Sequence, residues 1–135
     1  DLVLSAEVKG ASGSGGIGVV MRLNGDTGSN YSFVTMLGTG SAASSSSGTY
    51  DKAFIADSVN PGETNAGLFV IQLSDYSATD KQKTALVRAN VGSGGVSATA
   101  IRWSNTSAIT SVEIYTSTPT DEFAAGATFR LLGVN

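Results

Sequence analysis

The chain contains neither cysteine nor histidine. The first absence excludes disulfides and thiolate chemistry, so stability has to come from packing and strand pairing. The second removes the side chain most used for acid–base work near neutral pH and excludes a Ser–His–Asp mechanism outright. No S-x-x-K spacing supports a Ser–Lys dyad either. Charge is scarce as well: 14% of residues are charged, against about 25% in an average soluble domain. The eight Lys and Arg are scattered and the formal net charge is −3, which leaves no electrostatic footprint for nucleic acid. No apolar run approaches the ~20 residues of a membrane-spanning helix, and no signal peptide is visible. The chain opens on Asp1 rather than Met, and we expect it to be the folded body of a slightly longer protein.

What is present is glycine, hydroxyl residues and a period of two. Short segments alternate apolar and polar residues and are separated by Gly, Ser, Asn and Asp, the mark of half-buried strands. In segment 2–9, Leu2, Leu4, Ala6 and Val8 share one face. In 17–23, Ile17, Val19, Met21 and Leu23 oppose Gly18, Val20 and Arg22. The Asn24-Gly25 pair that follows is a strong hairpin signal, and 31–37 returns with Tyr31, Phe33, Thr35 and Leu37 on one face. Residues 38–49 hold a serine tract and read as a long exposed loop. Segment 52–57 reads as a short strand near an edge. Asn60-Pro61-Gly62-Glu63 reads as a turn, and 68–73, the most continuously apolar run, as a central strand covered on both faces. Further strands are expected at 81–89, 96–103, 109–116 and 127–134, with a turn at 92–95. No stretch has the 3.6-residue period of a helix.

These 135 residues predict a single all-β domain, 1–135: an antiparallel β-sandwich of eight to nine strands, jelly-roll-like, with a closed barrel as the alternative. Sheet proteins usually guard their edges with Lys, Pro or a covering loop. This chain has two prolines and few lysines, so its edges or an apolar face are expected to be covered by copies of itself or by a partner.

The chemical motifs are weak. Gly13-Ser14-Gly15-Gly16-Ile17-Gly18 has the G-x-G-x-x-G spacing of dinucleotide sites, but a strand rather than a helix follows, so an interstrand turn is the better reading. Asp26 with Asn24 and Asn30 offers oxygens to Ca²⁺, yet without alternating acidic ligands or a closing Glu it reads as a structural turn. Asp75, Asp80, Asp121 and Glu122 lie in strand connections and form no evident glycosidase pair. Trp103, in phase with Thr99 and Ile101, reads as core; Tyr50 and Tyr76 are better candidates for surface contacts. The glycosylation sequons at Asn30 and Asn105 are read as chance matches. The sequence therefore predicts no catalytic residue, metal or cofactor, and leaves the binding residues unknown.

Four strings taken in order, RLNGDTGSNY (22–31), LSDYS (73–77) with Lys81 and Lys83-Thr84, WSNTSAITSV (103–112) and FAAGATFRLLGV (123–134), span most of the chain after residue 20. This set resembles a β-sandwich module of tailed-bacteriophage virion proteins, of the minor structural, tail or capsid-decoration type. Leu132 departs from the family pattern, standing where an aromatic is expected, and the usual N-terminal lead-in is missing. The resemblance implies a non-enzymatic component of the particle surface, such as a capsid decoration, head fibre or tail fibre. Its expected partners are other copies of itself, with a trimer favoured, and other virion proteins. A host-surface glycan is a further candidate contact; nucleic acid and membrane insertion are not expected. The rival reading is a carbohydrate-binding module that uses Tyr50, Tyr76 or Trp103 as a stacking platform.

Overall fold

The structure is a computed structural model that describes residues 1–11, 17–59, 66–91 and 95–134. The turn expected at 60–63 lies outside the described residues, as does most of the turns expected at 10–16 and 92–95. Ten strands are present: β1 (Leu2–Val8), β2 (Ile17–Leu23), β3 (Tyr31–Gly38), β4 (Ala43–Tyr50), β5 (Ala53–Val59), β6 (Gly67–Ser74), β7 (Lys83–Val91), β8 (Gly95–Trp103), β9 (Val112–Thr116) and β10 (Thr128–Gly133). They form two antiparallel sheets packed as a sandwich. One has seven strands in the order β10-β1-β6-β7-β8-β3-β4, the other three in the order β5-β2-β9. The core lies between them, built from alternate residues such as Leu4, Val19, Met21, Ile55, Phe69, Ile71, Val87, Ile101 and Trp103.

Ten strands stand where eight to nine are expected, and four further expectations are corrected. The serine tract 38–49 is not a loop: after a short turn it forms β4, paired residue for residue with β3 from Tyr31↔Tyr50 to Gly38↔Ala43. Apolar periodicity could not reveal this strand, because β4 is an edge strand exposed on both faces and so carries no buried row; backbone pairing holds it. The Asn24-Gly25 turn forms as expected, with both φ angles positive and Asp26 N donating to Leu23 O at 3.0 Å. It does not make a hairpin, since β2 pairs with β5 and β9 while β3 lies in the other sheet. A tight turn fixes chain reversal; which strand each arm pairs with is decided by the apolar faces.

The third correction concerns coverage. Segment 68–73 is central in its sheet but alternates, and Leu68 is 53% exposed, because nothing among the described residues covers the outer face of the seven-stranded sheet. The strand buried on both faces is β2, where Val20 is wholly buried between its cross-strand neighbours Phe54 and Tyr115. Fourth, the strand expected at 109–116 begins only at Val112, and residues 104–111 are an ordered loop. The expectation for 52–57 holds: β5 is an edge of the smaller sheet.

Candidate functional site

Three places could carry function, and the residues that look most motif-like turn out to brace the fold. Asp26 is ringed by donors: Trp103 Nε1 donates to its Oδ2 at 2.7 Å, Asn30 Nδ2 to Oδ2 at 2.9 Å and Gly28 N to Oδ1 at 2.9 Å. These N–H groups would repel a cation, so the calcium reading gives way to the structural turn. Asn24 faces away, its Nδ2 donating to Ala108 O and its Oδ1 accepting from Thr110 N and Ser111 N. The Tyr31 hydroxyl accepts from Leu23 N and donates to Leu23 O, while its ring stacks on Trp103 at 6.4 Å. Burial pushes that hydroxyl up from its ordinary pKa, which keeps it a donor. Lys83 completes the clamp, its buried Nζ donating to the carbonyls of Lys81 and Thr106. The strings 22–31 and 103–112 are thus two halves of one polar brace that ties the loop 104–111 to the end of β2.

Desolvation pushes the Asp26 carboxyl up, but the hydrogen bonds from Trp103, Asn30 and Gly28 outweigh it and hold the group below its ordinary value of 3.8. A carboxyl with a depressed folded-state pKa stabilises fully above its unfolded value and loses that contribution as pH falls through the folded one. The stability gap between the wild type and Asp26→Asn should therefore be constant above about pH 5 and narrow below about pH 4. Urea midpoints across that range check it, and a pH-independent gap would show that the charge is not what Asp26 contributes.

The second place is the outer face of the seven-stranded sheet. Register places Leu132, Val3, Gln72, Leu86, Ala100, Val34 and Ser47 in one row across all seven strands. The next row runs Arg130, Ser5, Val70, Arg88, Ala98, Met36 and Ser45. Met36 and Val96 are 62% and 65% exposed, with Val34, Leu68, Leu86 and Leu132 also open. The sheet also overhangs its smaller partner on the β10 side, where Phe129 and Leu131 stay exposed. Neither edge strand of this sheet is well guarded: β4 has no charged residue or proline, and β10 has Arg130 alone.

The third place is a cleft of about 340 Å³ on the inner side, where β3, β4 and β8 extend past β5. Phe33, Tyr50 and Phe54 form an aromatic trio there, with centroids 5.4–5.8 Å apart. Gly48 makes that arrangement possible, since a Cβ on it would stand 2.5 Å from Tyr50 Cε2.

Of the sequence candidates, the structure brings Tyr50 into this cleft and removes Trp103 from any surface role, at 1% exposure. Tyr76 packs half-buried against the core. Asp75 pairs with Lys81 at 3.2 Å, and the Asp121 amide closes a turn onto Thr118 O. Gly18, the one described glycine of the G-x-G-x-x-G string, lies within β2 and lets Ser117 press against it; Gly13, Gly15 and Gly16 lie outside the described residues. Among the described residues, no three acidic side chains gather as metal ligands. The sequence reading missed Phe33 and Phe54 as site residues: Phe33 is in phase with the buried Tyr31, but Phe54 alternates with the buried Ala53 and Ile55, and its place beside Tyr50 depends on a strand concealed in the serine tract. Comparison with protein-family models, with curated proteins and with solved structures returns no match.

Proposed function

We propose that this chain is a non-enzymatic structural protein of a tailed-bacteriophage particle, displayed on the particle surface as a capsid decoration, head fibre, or tail or tail-fibre component. It acts by self-association and loop contacts. The resemblance of its four ordered strings to that class of module supports the assignment. The observation that carries the mode of action is the bare outer face. Seven strands about 4.8 Å apart, each contributing about seven residues at about 3.3 Å rise, make a surface of about 800 Å². That matches the roughly 800 Å² each partner buries in a standard interface, and monomeric proteins rarely leave large contiguous apolar patches bare. The charged side chains of the two rows on this face, Arg88 and Arg130, lie on β7 and β10, which leaves the β8–β3–β4 side, with Ala98, Ala100, Val34 and Met36, as the uncharged part of the rows on which a second copy of the chain can seat. The outer face and the Phe129/Leu131 overhang are two unlike apolar patches, which a ring-closing heterologous contact needs, and this favours a trimer. The jelly-roll reading of the topology draws support from the repeated crossings between sheets at β1–β2, β2–β3, β4–β5, β5–β6, β8–β9 and β9–β10. The β6–β7–β8 meander departs from it.

Light scattering on the purified chain is expected to give a mass about three times 13.6 kDa at micromolar concentration. Met36→Glu combined with Leu86→Glu should return it to monomer with an unchanged circular dichroism spectrum, since both side chains are exposed and unfavourable only when buried against a partner. A wild-type chain that stays monomeric throughout would overturn the self-association reading.

A further inference from the structure

We infer that the cleft between β4 and β5 is a binding site for a neutral saccharide, a role separate from assembly and independent of it. Its two halves suit the two chemical characters of a pyranose ring. One half is aromatic: Tyr50, 46% exposed, lies nearly parallel to Phe33 at 22° and meets Phe54 edge-on at 72°. Rings set in this way present apolar surface to the C–H face of a sugar. The Tyr50 ring is held in place from behind, folded over the side-chain-free Gly48, so little order has to be gained on binding.

The other half is a bank of hydroxyls. Thr35 and Thr99 share a hydrogen bond of 2.7 Å on the floor, which fixes their orientation. Ser44, Ser46 and Ser97 line the same cleft, and their hydroxyls have no side-chain partner among the described residues. A hydroxyl offers one donor and two acceptor positions, so this bank can exchange hydrogen bonds with sugar hydroxyls in either sense. No described residue lining the cleft is charged, which excludes phosphorylated, sulfated and sialylated ligands as the favoured class. The volume lies at the small end of the range for small-molecule sites, about 300–1,000 Å³, room for a short glycan segment rather than a long chain. The serine tract thereby acquires a function that neither a loop nor an inert edge strand would give it.

The test is an NMR titration of the ¹⁵N-labelled chain with neutral oligosaccharides of glucose, galactose, mannose and N-acetylglucosamine, and with sialyllactose as the charged control. At least one neutral probe is expected to give saturable shifts at the amides of 33–37, 44–50 and 97–99, and sialyllactose none. Tyr50→Ala should weaken that binding about tenfold or more, and Tyr50→Phe by far less, since the ring is retained. The exposed position of Tyr50 leaves the rest of the spectrum in place as the folding control. No saturable shift for any neutral probe up to about 10 mM, shifts located elsewhere, or equal binding by Tyr50→Ala would each overturn the site. None of these outcomes bears on the oligomeric state, which light scattering reads separately.

Discussion

Replacing Trp103 by alanine is expected to lower stability by about 3–5 kcal/mol, the range for deleting a large buried aromatic. For a chain of this length that is a fall in Tm of about 10–25 °C. Trp103 is 1% exposed, stacks on Tyr31 at an interplanar angle of 16° and donates its indole N–H to Asp26 at 2.7 Å. Removing it opens a cavity and also strips the Asp26 carboxylate of its shortest hydrogen bond. Trp103→Phe separates the two effects, since it retains most of the packing and loses the donor. Its expected cost is about 1.5–3 kcal/mol, the worth of a hydrogen bond to a charged group. Urea unfolding of both variants decides the matter: a Phe variant as stable as the wild type would mean the Asp26 bond contributes nothing. The pair Trp103→Phe and Asp26→Ala should be strongly non-additive, because both remove the same bond.

Lys83 carries the second large effect. It stands in phase with the buried Ala85, Val87 and Ala89, pointing inward with 1% exposure, and its Nζ lies 2.9 Å from Lys81 O and 3.1 Å from Thr106 O. Lys83→Ala leaves both carbonyls without this donor and vacates the volume of a long aliphatic stem. Together these should cost about 2–4 kcal/mol. Lys83→Met fills the volume without the donor and should recover part of that loss. In both variants the loop 104–111 loses one tether, so the Ile109 amide, bonded to Tyr76 O at 2.7 Å, should exchange with solvent about tenfold faster or more. An unchanged exchange rate at Ile109 in Lys83→Met would show that packing of the stem, and not the ammonium, holds the loop. A lysine buried by accident of packing would be improved by methionine; one that organises a loop would not.

The candidate site was less legible than the fold, for a reason visible in particular residues. Trp103 and Tyr31 announce themselves in the strings that resemble a virion module, yet they are structural: their polar ends are consumed within the brace with Asp26 and Leu23. The cleft draws on Phe33, Tyr50, Phe54 and a row of serines, none of which stands out singly. Tyr50 stood out by its place at the end of a polar tract, but what it faces depends on β4 pairing with β3 and on β5 stopping short of β4. Both are relations between elements distant in sequence or in different sheets. Lys83 was legible in principle as a charge at an inward position, and the partners that satisfy it could not be read, because the carbonyl of Thr106 is brought there by the loop.

Sequence alone determined that this is an all-β protein, because a period of two with turn residues between segments can bury one face only in strands; that the strands close as a sandwich and not a barrel was decided by the structure. Sequence also determined the inward rows of β1, β7 and β8, which follow from the pleat, and the chemistry ruled out by the missing histidine and cysteine. The tertiary structure alone decided how the strands divide into sheets of seven and three, since Asn24-Gly25 reverses the chain without choosing a partner for either arm. It decided that β2 rather than β6 is buried on both faces, because coverage is a property of neighbours and not of a segment's own hydropathy. It made a strand of a serine tract, because an edge strand is held by backbone hydrogen bonds that every residue but proline can offer, and those leave no imprint on side-chain pattern.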